Sequence, residues 1–199
     1  MKSNVCRIEK GTKDLDAILK ESEKVAVYNE LTHKQTLQLR LLCEEIDGML
    51  PNIIDEFSGD IWIEFEEGVA KVVLSVKFEE FTAEKKKELV NIAKNKKNAA
   101  TVGIVGKIRS AIENFFLDEN LIPSFELSAR SYDMATGYHD GVDYAYLWSL
   151  EQYRNGVNKE KQADHWDELE KSVIASVADD VIVGVKGKQA NITVIKKFA

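Results

Sequence analysis

GDIWIEFEEGVAKVVLSV, residues 59–76, reads as two strands and the turn that joins them. Over residues 59–65 apolar and polar side chains alternate, so Ile61, Ile63 and Phe65 share one face of an extended chain with Asp60, Trp62 and Glu64 mainly on the other. Glu66-Glu67-Gly68 supplies the turn, and the valine-rich residues 69–76 answer as the second strand. A hairpin of this kind has an apolar face that must be covered by another layer.

The stretch immediately before it, LRLLCEEIDGMLPNIIDEF (residues 39–57), is the first candidate for that layer. Leu41, Leu42 and Ile46 recur at helical intervals, and Leu50, Ile53, Ile54 and Phe57 carry the stripe past Pro51. Thr32 is placed to cap this long helix. Gly48 and Pro51 weaken a helix interior by several kcal/mol relative to alanine. Glu44 and Glu45 beside the stripe read in two ways: a solvated flank of an amphipathic helix, or a helix that carries, or once carried, chemistry.

Outward from this core the pattern predicts an edge strand over residues 4–9 and a helix over residues 12–28. A solvated helix is expected over 82–94 and further helices over 106–117, 144–153 and 163–178, while residues 118–143 have no clear period. The chain ends in VIVGVKGKQANITVIKKF, residues 181–198, two alternating strands around a Lys-Gly-Lys-Gln turn. Two hairpins, each preceded by a helix, predict an α+β domain: a two-layer α/β sandwich with a mixed, mostly antiparallel sheet and helices on one face.

With 199 residues, 44% hydrophobic and 31% charged, the chain can bury a full core without staples, and its two prolines and even composition predict order nearly end to end. The 34 acids against 27 bases give a formal charge of -7, which repels phosphate backbones and argues against nucleic acid as a partner. The first residues have no signal-peptide core and no run is long enough to span a bilayer, so a soluble cytoplasmic protein with no membrane partner is expected. Cys6 and Cys43 read as reduced, structural thiols.

This order resembles the ATP-binding fold shared by histidine kinases, gyrase-type ATPases and the anti-sigma-factor serine kinases, the last most closely. In that group a long helix carries a glutamate and, four residues later, a magnesium-binding asparagine, followed by a hairpin. LRLLCEEIDGMLPNIIDEF falls in that place, and LEKSVIASVADDVIVGVKGKQANITVIKKF (residues 169–198) resembles the group's final helix, acidic junction and closing hairpin. The resemblance implies one histidine-kinase-like domain over 1–199, with 79–160 as a divergent lid-like insertion.

The departures from the family pattern carry the functional expectation. The general base maps to Glu44 or Glu45, but the asparagine four positions on maps to Gly48 or Met49, whose side chains cannot ligate a hard cation. The adenine-reading aspartate falls in SVKFEEF, where Lys77 and Phe78 stand with Glu79 and Glu80 displaced. A lysine there is a donor only. The glycine-rich phosphate loop aligns with DELEKSV, where Glu168 and Glu170 would repel a triphosphate and block close backbone approach.

The resemblance therefore implies a bacterial regulatory module that holds a protein partner, by analogy a transcription regulator or a second copy, with no cofactor and no metal. The alternative is an active kinase or ATPase using ATP and magnesium at a drifted site. There Glu44 or Glu45 would be the base, Asn52 a metal ligand, and Gly103, Gly106 and Lys107 the phosphate contacts. That last group stands in NKKNAATVGIVGKIRSAI, where two glycines precede a helix with Lys107 and Arg109 at its start, although a Walker loop is excluded by Thr101 and Ile108. Packing at the glycines beside a solvated basic turn explains the same residues.

Other constellations favour bland readings. His139, Asp140 and Asp143 lie close in sequence without the spacing of a calcium loop, and His33 and His165 have no partner at helical spacing. No serine or cysteine stands in a nucleophile pattern. The aromatic run Tyr132, Tyr138, Tyr144, Tyr146, Trp148 and Tyr153 reads as a small core under a loop before it reads as a partner surface.

Overall fold

The computed structural model describes residues 1–9, 15–53, 58–77, 103–117, 145–156, 172–186 and 189–198. The opening hairpin forms as β2 (Ser58–Glu66) and β3 (Val69–Lys77), in register from Ser58 opposite Lys77 to Glu66 opposite Val69. Its two-residue turn has positive φ at both Glu67 (49°) and Gly68 (78°), the type I′ geometry that matches strand twist. A Cβ on Gly68 would lie 2.9 Å from the Phe198 carbonyl, so both backbone angle and space require glycine there.

The described strands make one six-stranded sheet ordered β1-β2-β3-β6-β5-β4, with β1 (Cys6–Glu9) and β4 (Ala145–Ser149) at the edges and β5 (Asp180–Lys186) and β6 (Gln189–Lys197) forming the second hairpin. The sheet, expected as mixed and mostly antiparallel, is antiparallel at every pair of neighbouring described strands. The two hairpins lie side by side through β3 and β6, which needs no parallel crossover. The turn of the second hairpin, residues 187–188, and the expected helix over 82–94 lie outside the described residues.

Period-two alternation in the strands produces an apolar face toward the helices, while Val73, Ser75 and Ile195 are buried on the opposite face. Ile61, Ile63, Val72, Leu74, Ile192, Val194, Val181 and Val183 are all essentially inaccessible and belong to one cluster with Ile18, Leu39, Leu42 and Ile46 of the helices. Those helices are α1 (Leu15–Tyr28) and α2 (His33–Ile53), joined in that cluster by α3 (Gly103–Leu117) through Ile104, Ile108 and Ile112 at every fourth position. The α+β class, with helices packed on a mainly antiparallel sheet, is as the sequence predicts.

α2 begins as expected. Thr32 Oγ1 accepts from the Gln35 N–H at 3.4 Å while Gln35 Oε1 accepts from the Thr32 N–H at 2.9 Å, a reciprocal capping box. The helix then runs unbroken through Gly48 and Pro51 for 21 residues, roughly 31 Å at a helical rise. Burial of its apolar stripe outweighs the local propensity cost, since Leu39, Leu42, Cys43 and Ile46 have no accessible surface.

Two sequence expectations are corrected in the second half. Residues 144–153, expected as a helix, divide into strand β4 and a short helix α4 (Leu150–Gly156). Pairing with β5 supplies ladder partners to Ala145, Tyr146, Trp148 and Ser149, and a bulge between Tyr146 and Trp148 shifts the register, which hides the alternation in the sequence. The helix expected over 163–178 is, within the described residues, only α5 (Val173–Val177). Ser172 before it is extended (φ -76°, ψ 125°) and caps the Ala175 N–H with its hydroxyl, so the helix starts afresh there. α3 and β4 fall within the stretch expected as an insertion, and β5 ties β4 to the main sheet.

The α1–α2 turn closes as a Schellman motif: the Leu31 N–H donates to Ala26 O at 2.9 Å, the Glu30 N–H to Val27 O at 3.2 Å, and Glu30 takes φ 53°. Glutamate is strained at this position and at Glu67 in the type I′ turn, where glycine and asparagine respectively are favoured. Glu30→Gly and Glu67→Asn are each expected to raise stability by about 0.5–1 kcal/mol, read as a higher urea midpoint at unchanged slope.

Candidate functional site

The sequence-predicted site residues fall on two helices that pack against each other, α2 and α3. Glu44 lies half-exposed on α2 and is paired with Arg40 one turn earlier at 3.2 Å. The same guanidinium reaches Glu23 of α1 at 2.7 Å. Glu44 is thereby part of a surface network tying the first two helices together, a contribution of a few tenths of a kcal/mol per exposed pair. Glu45 is half-buried on the neighbouring position.

Four residues after Glu44, Gly48 is exposed, and a Cβ there would meet nothing within 4 Å. Four residues after Glu45, Met49 is 4% exposed and belongs to the core cluster. Neither position offers a side-chain oxygen to a hard cation. Asn52 lies in the last turn of α2, and its side chain is outside the described residues. Lys77 is the exposed last residue of β3.

α3 starts at Gly103, so Gly106 sits inside the first turn rather than ahead of the helix, and it is buried. Lys107 is half-exposed, with its ammonium 5.2 Å from the centre of the Tyr153 ring on α4, a cation–π contact. Burial pushes the Tyr153 hydroxyl above its ordinary pKa. Trp148 is tilted against the same ring at 6.1 Å, which keeps part of the aromatic run as a packed cluster. Tyr132, Tyr138, His139, Asp140, Asp143, Tyr144 and His165 lie outside the described residues, as do Phe78, Glu79, Glu80, Glu168 and Glu170.

Cys43 is fully buried on α2, and desolvation, assisted by the nearby Glu44 charge, pushes its thiol up to about 12. It is a packing residue with no accessible thiolate. Among the described residues no group of three or more His, Cys, Asp or Glu is placed to hold a metal, and no helix is long and apolar enough to cross a membrane.

Three polar centres escaped the sequence reading. Asp180, 7% exposed, accepts from the Glu151 N–H at 2.9 Å and from its own neighbour Val181 N–H at 2.8 Å, so it and Ser149 together cap α4. Asp179 accepts from the Lys197 N–H at 2.6 Å and pairs with Lys196 at 3.2 Å, while Arg154 donates to Asp179 O and Ala175 O. The acidic junction before β5 is thus a structural joint. On the sheet face away from the main cluster, Gln189 Nε2 donates to Ser75 Oγ, and Asn191 Oδ1 is buried without a partner among the described residues.

The third centre is Glu21 on α1, 8% exposed, which accepts from the Asn4 N–H and Asn4 Nδ2 at 3.1 Å each and from Lys24 Nζ at 2.6 Å. The Lys24 ammonium above all, with the two Asn4 donors, holds this carboxyl below its ordinary range against the opposing effect of burial. A carboxyl lowered on folding adds stability above its unfolded pKa and loses it as pH falls through the folded value. Glu21→Gln is therefore expected to cost about 1–2 kcal/mol near neutral pH and progressively less on acidification below about pH 4.5, read by urea titration across that window.

Comparison with protein-family models, with curated proteins and with solved structures finds no match for the chain.

Proposed function

We propose that this chain is a non-catalytic regulatory module that acts by holding a protein partner, built on a frame that resembles the anti-sigma-factor kinases but has lost their nucleotide chemistry. The observation that carries the reading is Met49: the position one turn after the candidate base Glu45 is filled by a core thioether, where metal-assisted phosphoryl transfer needs an oxygen ligand. The Arg40 bridge supports it further, because Glu44 is occupied in holding α1 to α2. A transcription regulator as partner follows from the family analogy alone.

The competing reading is an ATPase or kinase with a drifted site. It draws on the packing of α2, which carries Glu45 and Asn52, against α3, which carries Gly103, Gly106 and Lys107. Incubation with ATP and magnesium followed by ADP quantification separates the two. The proposal expects the same background for the native chain and for a Glu44→Ala, Glu45→Ala double variant. ADP formation by the native chain that the double variant lacks would overturn it in favour of the drifted site.

A further inference from the structure

Three of the five large hydrophobic side chains that are exposed among the described residues gather at one end of the molecule: Met1 (45%), Val27 (80%) and Tyr28 (73%). Contacts fix them there. Asn29, next to Tyr28, donates through Nδ2 to Met1 Sδ at 3.2 Å, and Met1 is laddered onto β2 through the Phe65 N–H at 2.8 Å. Phe65 in turn leads into the β2–β3 turn and stacks on Phe198 at 6.2 Å. These contacts link the α1–α2 turn, the first residues and the β2–β3 turn.

Its rim is acidic. Glu30, Glu66 and Glu67 are exposed and make no ion pair among the described residues. Of the cations nearby, the Met1 ammonium donates to Phe65 O, Lys2 is taken by Glu64 at 3.3 Å and by the Trp62 ring at 4.3 Å, and Lys34 and Lys197, the latter opposite Val69, are exposed. Among the described residues Glu30 and Glu67 are also the two non-glycine residues of positive φ, so glutamate stands at both tips where a different residue would be more stable.

We infer that this end of the molecule is the partner-docking surface, and that it takes a basic, amphipathic segment of another protein, with apolar side chains over Val27, Tyr28 and Met1 and lysines or arginines against Glu30, Glu66 and Glu67. The inference rests on the protein-binding reading above and names the surface. Charge complementarity selects the occupant. A second copy in a two-fold contact would set like acidic rims against each other, and an anionic lipid surface would be repelled.

The probe is a synthetic amphipathic helix of leucine and lysine, with its leucine–glutamate counterpart as control, titrated into the full chain and followed by amide chemical-shift mapping. The basic peptide is expected to bind selectively, more weakly as salt rises, and to shift amides around residues 1–2, 27–30 and 64–68. A Val27→Ser, Tyr28→Ser double variant, both sites being exposed, is expected to keep its melting temperature and weaken binding at least about tenfold. A Glu66→Lys, Glu67→Lys variant should reverse the peptide preference.

Equal binding of the two peptides, no binding at millimolar peptide, or unchanged affinity in the serine variant would overturn the inference. So would binding to phosphatidylserine vesicles or self-association that the serine variant abolishes. Shifts confined to another surface would overturn this site while leaving the protein-binding reading intact. Turnover of ATP would do the reverse.

Discussion

Leu42→Ala is expected to lower the unfolding free energy by about 3–4 kcal/mol. Leu42 has no accessible surface and lies in the middle of α2, where the helix layer meets the sheet cluster, so truncation removes transfer energy and leaves a cavity that a 21-residue helix cannot collapse to fill. Against a total stability of about 5–15 kcal/mol this is a large fraction, and urea denaturation should show a much lower midpoint with little change of slope. The exposed Leu37, in the first turns of the same helix, is the control: Leu37→Ala is expected to stay within about 0.5 kcal/mol of the parent.

Gly59→Ala is the second large effect, expected at about 2–3 kcal/mol. A Cβ at Gly59 would lie 2.4 Å from the Ser75 carbonyl oxygen and 3.1 Å from the Val76 Cα, both backbone atoms of the paired strand. The clash can be relieved only by separating β2 from β3 at the position where β1 also pairs, Ile8 opposite Gly59. Gly48→Ala supplies the opposite sign from the same chemical change. Its Cβ meets nothing and the site is helical, so a gain of up to about 1 kcal/mol is expected. Circular dichroism melts of the two variants side by side test this reading of where glycine is required.

The parts of the fold that could be read from the sequence are those whose physics is local. Residues 59–76 and 181–198 alternate with period two and carry their own turns, and Thr32 with Gln35 announces the start of α2. Where tertiary pairing decides, reading failed. The five residues of β4 are set by β5 and by a bulge, and nothing in their own spacing distinguishes a strand from a helix. Ser172 opens α5 through an extended backbone that its neighbours do not signal.

The polar joints were illegible for a similar reason. Glu21 meets Asn4 seventeen positions away and Asp180 meets the Glu151 amide twenty-nine away, so each carboxylate looks like an ordinary surface acid until the chain is folded. The strained Glu30 and Glu67 were hidden because glutamate is a poor marker of positive φ. By contrast, the lack of an oxygen ligand one turn after Glu44 or Glu45 is a matter of residue identity and is legible in the sequence itself. Folding adds that Met49 is buried and Glu44 bridged.

Thermal melting with and without millimolar ATP and magnesium decides whether the chain still binds nucleotide. A ligand at about a hundred times its dissociation constant adds roughly 2.7 kcal/mol, or about 5 °C or more for a chain of this size. The proposed loss of nucleotide chemistry predicts an unchanged melting temperature. A rise of that size would contradict it and direct mutation to Glu45, Asn52 and Lys107.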